Sequence, residues 1–136
     1  YHSWIPLILI GLPRVYGTWL HIVFGLTQHA GLAEDVLDHR HNTRTVYMNP
    51  VFRFLYWNMN YHVEHHMFPM VPYHALPALH EEMKADTAPV YKNMMEAYCE
   101  IIPALWQQSS GPEFFVPRAV PNSELTSSHP SSVAVA

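Results

Sequence analysis

Three histidines fall within five residues in Tyr61-His62-Val63-Glu64-His65-His66. On a helix turning about 100° per residue, His65 lies about 60° to one side of His62 and His66 about 40° to the other. All three imidazoles then share one narrow face. Converging neutral imidazoles suit a borderline cation such as Fe, Zn or Cu, and suit Mg or Ca poorly. Without a cation, the same crowding lowers their pKa values and leaves polar rings badly paired. Histidine is abundant throughout, at 11 of 136 residues, the same number as Asp and Glu together. Nine of the 11 lie between His21 and His80.

Other chemistries are excluded by spacing. The metalloprotease pattern H-E-x-x-H is absent, because Glu64 stands two residues after His62. The Glu-x-x-His pattern of carboxylate di-iron bundles is absent too, since Met67 stands three residues after Glu64. There is no Gly-rich phosphate loop and no G-x-S-x-G turn. Cys99 is the sole cysteine, which removes an internal disulfide framework and any Cys-based zinc or iron–sulfur site. A net charge of −4 with seven Lys+Arg leaves no basic footprint for nucleic acid. The 49% hydrophobic and 13% aromatic content excludes full disorder. Charged residues, at 13%, are half the about 25% of a typical soluble domain.

The elements that must position these histidines divide the chain into three parts. Residues 1–33 carry Arg14 as their one formally charged side chain and form two apolar runs joined at Pro13. Neither run alone reaches the about 20 residues of a membrane span, but one continuous helix through Pro13 does. Two buried helices in a soluble core are the competing reading, because Arg14 and His21 weaken a span. Residues 34–110 are more polar and hold the histidine cluster. Asn49 as N-cap and Pro50 at the first helical position predict one helix over Pro50 to Met67. Pro69, Pro72 and Pro77 then force a turn-rich passage. Short and long helices follow, from about Pro77 to Lys84 and from about Val90 to Gln107. Residues 111–136 are rich in Pro and Ser and predict a disordered tail. The chain begins at Tyr1 rather than Met, and the expectation is a C-terminal fragment of a longer protein.

The stretch Asn58-Met59-Asn60-Tyr61-His62-Val63-Glu64-His65-His66-Met67-Phe68-Pro69-Met70-Val71-Pro72 strongly resembles the third histidine box of membrane fatty acid desaturases and related hydroxylases. The resemblance extends upstream to Thr27-Gln28-His29-Ala30-Gly31, where the family carries a further histidine, and downstream to Tyr73-His74-Ala75-Leu76-Pro77-Ala78-Leu79-His80. It covers roughly Trp4 to Leu105. Within the family the chain looks similar to bacterial members, some associated with rhizopine catabolism or hydrocarbon oxygenation.

The resemblance implies an all-α, membrane-associated helical bundle with cytoplasmic helices. It implies an oxidoreductase with two Fe ions, held by His29, His62, His65 and His66 together with histidines outside this chain. No first or second box occurs in the 136 residues. His39 and His41 are two apart and His74 and His80 six apart, so neither pair fits a box. The expectation is that the fragment alone is inactive. The implied partners are a lipid acyl substrate, O2, the membrane, and an electron donor such as ferredoxin, rubredoxin or cytochrome b5. The implied location is a bacterial inner membrane, with the iron site on the cytoplasmic face. Two alternatives stay open: a di-iron hydroxylase or oxygenase of a hydrocarbon or small molecule, and a non-catalytic His-rich module holding zinc. Among the remaining residues, Glu64 is expected at the surface, with pairing to a ligand histidine or to Arg53 as the alternative. Asn58 and Asn60 are candidates for orienting ligands. Asp38-His39-Arg40 is expected in a solvated loop, with anionic head groups or an electron donor as the alternative it could face.

Overall fold

The computed structural model describes residues 3–123. The described residues are helical, with two isolated bridges, Thr45 to Tyr61 and Val46 to Tyr91, in place of any strand. The two apolar runs join into one helix from Leu7 to His29. Pro13 contributes no N–H, and just before it, over Leu7–Gly11, the ladder widens to π spacing, with the Leu12 N–H on the Leu7 carbonyl. The α-helical part is α1, Leu12–His29. Over 23 residues the helix is about 34 Å long, enough for a bilayer core of about 30 Å. Its mean hydropathy reaches 1.5, and only 6% of its most apolar window is buried. It is therefore not the pair of buried core helices that was the competing reading.

The single helix expected over Pro50–Met67 is broken. Asn49 caps it as expected, its side chain accepting from the Phe52 N–H. Helix α3 nevertheless stops at Leu55, and the histidine helix α4 runs His62–Met67 (α2 is the short turn His39–Asn42). Between them Trp57 and Asn58 both take φ of 53°. Asparagine tolerates that left-handed conformation, and its side chain competes with helical hydrogen bonding. Asn58 accepts from Arg53 Nε at 3.2 Å and donates to the Tyr73 carbonyl at 3.1 Å. Asn60 donates to the Val46 carbonyl. Both asparagines thus shape the turn. The break frees α4 to set its own direction.

The short helix α5, Leu76–Met83, and the long helix α6, Met94–Ser110, match the expected positions. Helix α6 lies against the end of α1: Tyr98 donates its hydroxyl proton to the Val23 carbonyl. Phe24 of α1 packs on Phe52 and Tyr56 at 5.2 and 4.9 Å between ring centroids. The core proper is Val46, Tyr91, Ala97 and Ile101.

Through it runs an extended strip, Arg44–Tyr47, that ties the elements together. The Arg44 N–H bonds the Gln28 carbonyl of α1, and the buried guanidinium bonds the Ala30 carbonyl and Glu100 of α6. Val46 pairs with Asn60 and Tyr47 with Tyr91.

Disorder was expected from residue 111 onward. Residues 111–123 instead pack on this core, and 124–136 lie outside the described residues. The Val116 N–H bonds the Gly31 carbonyl, Arg118 reaches Tyr91 and the Pro89 carbonyl, Val120 is buried, and Ser123 bonds Asp38. A Pro-rich segment can dock in extended form without a helix, and composition alone does not register the partners that hold it.

Gly31 permits the close contact between the end of α1 and α6. Its φ is +75°, and a Cβ there would stand 2.7 Å from the Ala104 Cβ. Gly31→Ala therefore meets both backbone strain and overlap. A loss of about 2 kcal/mol or more is expected by denaturant unfolding, partly recovered with Ala104→Gly. An unchanged midpoint for Gly31→Ala would contradict this packing.

Candidate metal centre

Helix α4 is six residues long, and its two faces do different work. One face is fully buried and polar. Glu64, with no exposure, accepts from the Thr45 hydroxyl at 2.6 Å and from His80 Nδ1 at 2.5 Å. His80, on α5, is 1% exposed and its Nε2 lies 2.9 Å from the Tyr47 hydroxyl. The surface role expected for Glu64 is therefore wrong. Position 64 lies about 160–200° around the helix from His62 and His66, so a buried Glu64 turns those rings the other way.

The other face carries the imidazoles. His62 Nε2 stands 2.9 Å from His29 Nε2 and 3.0 Å from His66 Nε2. The ligand nitrogens of the trio all lie within 4.8 Å of one another. His29 reaches this point because α1 ends there, and its Nδ1 donates to the Asn42 carbonyl at 2.8 Å. That bond leaves the Nε2 of a neutral His29 as a lone pair facing the trio. His65 lies beside the trio and is not part of it, its ring centroid 5.7 Å from His62 and 5.8 Å from His66. His39 is also close, its ring centroid 5.0 Å from that of His66. The box spacing gave no reason to bring it here.

The two pairs that His62 makes fit a metal ion by their own spacing. Two nitrogens each about 2.1 Å from one ion, at a right angle, are about 3.0 Å apart. The observed 2.9 and 3.0 Å are that spacing. Without an ion the arrangement is electrostatically poor. The His62 Nε2 position faces two other imidazole nitrogens, and at best one N–H is shared between two lone pairs. Nδ1 of His62 is buried with no hydrogen-bond partner among the described residues.

Burial, reinforced by His29, His66 and His65, holds the His62 imidazole down at about 2. Burial, with His29, His39 and His65, lowers His66 to about 4. Both rings are neutral at pH 7, the form that ligates a metal. Nearby, hydrogen bonding to Arg40 holds the Asp38 carboxylate well below its ordinary range.

The fatty acid desaturase family model matches residues 1–98, which include the end of α1, the turn at 57–58 and the whole imidazole cluster. The chain belongs to the fatty acid desaturase family. No curated protein and no solved structure matches it. The family is one of oxidoreductases known for di-iron centres, and the histidine trio of this member could hold a metal ion.

The lowered pKa values set a pH dependence for the metal-free chain. Unfolded histidines titrate near 6.5, whereas His66 and His62 protonate in the fold only near 4 and 2. Between these limits the unfolded chain binds more protons, so stability present above about pH 6.5 is lost as the pH falls. Thermal unfolding of chelator-treated chain in detergent should show the midpoint dropping from about pH 7 to about pH 4.5. His62→Leu should flatten that slope. A pH-independent midpoint in the unsubstituted chain would contradict the burial of these rings.

Proposed function

We propose that this chain carries the third histidine box of a membrane di-iron fatty acid desaturase and acts in O2-dependent dehydrogenation of a lipid acyl chain. The observation that carries the reading is the convergence of His29, His62 and His66 Nε2 atoms in a member of the desaturase family. In this reading His29, His62, His65 and His66 are iron ligands, and histidines outside the chain complete a two-iron centre. The bound irons supply O2 activation and the removal of hydrogen from an unactivated CH2. Two electrons come from the acyl chain and two from a donor such as ferredoxin, rubredoxin or cytochrome b5, so that O2 leaves as two waters.

The chain's own residues supply position. Asn42 holds His29 by its Nδ1, which keeps Nε2 directed at the trio. Glu64, locked between Thr45 and His80, fixes the rotation of α4. Hydroxylation shares the first hydrogen abstraction and the same ligands, and bacterial hydrocarbon oxygenases of this type are the nearest alternative outcome.

The apolar helix Leu7–His29 supports integral membrane placement, with its outward side chains Ile8, Leu9, Ile10, Val15 and Trp19 in lipid. Arg40, Arg44 and Arg53 follow the span closely, which in a bacterial inner membrane favours the cytoplasmic side for the metal centre. The native Cys99 is exposed and gives a direct probe. A membrane-impermeant maleimide should label it in inverted vesicles and not in right-side-out ones. Labelling from the outer face alone would overturn the orientation.

Product analysis tests the reaction. Membranes containing the complete enzyme, a ferredoxin system and O2 should yield unsaturated acyl chains and close to two irons per protein. His62→Ala should lose both while keeping membrane insertion. Hydroxylated product would favour the oxygenase outcome. Stoichiometric zinc, with products indifferent to His62→Ala, would overturn the enzyme reading.

A further inference from the structure

Asn42 touches two histidines. Its backbone carbonyl accepts from His29 Nδ1 at 2.8 Å, and its side-chain Oδ1 accepts from His39 Nδ1 at 3.3 Å. We infer that His39 is a further ligand of the metal centre and that Asn42 is the positioning residue that orients both it and His29. This rests on the metal reading of the trio.

The argument begins with reach. The His39 ring centroid is 5.0 Å from that of His66, and His29, a member of the trio, is 5.1 Å from the same ring. His39 is thus as close to the His66 ring as His29 is. Its hydrogen bond is suited as well. A neutral imidazole that donates through Nδ1 keeps Nε2 as a lone pair, so Asn42 leaves both rings ready to bind a cation.

Helix α2 also holds His39 firmly. The Asp38 side chain caps it, accepting from the Arg40 N–H at 3.0 Å, and pairs with the Arg40 guanidinium at 2.6 Å. Arg40 in turn bonds the Asp86 carbonyl, and Ser123 bonds Asp38 at 2.8 Å. His41 lies in the same short helix but bonds Ser123 at 3.0 Å, away from the cluster. His39 and Asn42 are three apart, the spacing at which helical side chains meet. The ligand chemistry is that of a first-row divalent cation held by imidazole nitrogen.

Co2+ titration of the whole chain in detergent micelles, read by chelator competition and by visible d–d absorption, tests this. His39→Ala should weaken Co2+ about tenfold or more and change the absorption, and Asn42→Ala, which removes the bond to His39 and keeps the carbonyl that holds His29, should weaken it less. His74→Ala, an exposed histidine away from the cluster, should leave both readouts unchanged. His39→Gln introduces an amide of similar size and removes the imidazole, and carries the same test if the alanine variant fails to fold. Loss of binding in His62→Ala with full affinity and an unchanged spectrum in folded His39 variants would overturn this inference alone. No saturable Co2+ site in the unsubstituted chain would overturn the metal reading and this inference with it.

Discussion

A carboxylate with no solvent exposure sits in the middle of the histidine helix, and the arrangement of the centre depends on keeping it satisfied. Burying an ionised carboxylate without partners is prohibitive, and breaking a buried pair costs about 3–5 kcal/mol. Glu64 therefore stays where the Thr45 hydroxyl and His80 Nδ1 can both reach it. Those partners come from the extended strip and from α5, so the rotation of a six-residue helix is set by contacts behind it. The consequence in front is that His62 and His66 face the end of α1. A short helix has little stability of its own, which makes this external fixing necessary.

The second constraint is electrostatic. Burial, together with imidazole nitrogens at 2.9 and 3.0 Å spacings, disfavours protons in the site, and the low pKa values of His62 and His66 express both. The fold spends stability to hold bases unprotonated and close together. In a desaturase-family chain, the natural use of that strain is the binding of a metal cation, which turns mutual repulsion into shared ligation.

Much of this was legible in the sequence, for identifiable reasons. The i, i+4 spacing of His62 and His66 and the apolar run through Pro13 are local patterns with visible counterparts in the fold, whereas His65, expected on the same narrow face, lies beside the trio. His29 was legible only through the resemblance to a family, since nothing local marks it. The break at Trp57 and Asn58 was not legible, because Asn49 and Pro50 are strong start signals and the competing signal is two residues in a left-handed turn. Glu64 was misjudged because its partners, Thr45 and His80, lie 19 and 16 residues away. His39 was set aside on box spacing, though a short helix capped by Asp38 carries it to His66. Packing of residues 111–123 depends on Gly31, Tyr91 and Asp38, contacts that a Pro-rich composition does not announce.

X-ray absorption at the iron edge of Fe2+-loaded protein tests the central claim most directly. The account predicts first-shell nitrogen near 2.1 Å with the outer-shell scattering of three or more imidazoles, reduced in His62→Ala. A coordination sphere of oxygen alone, identical in the unsubstituted protein and His62→Ala, would contradict it.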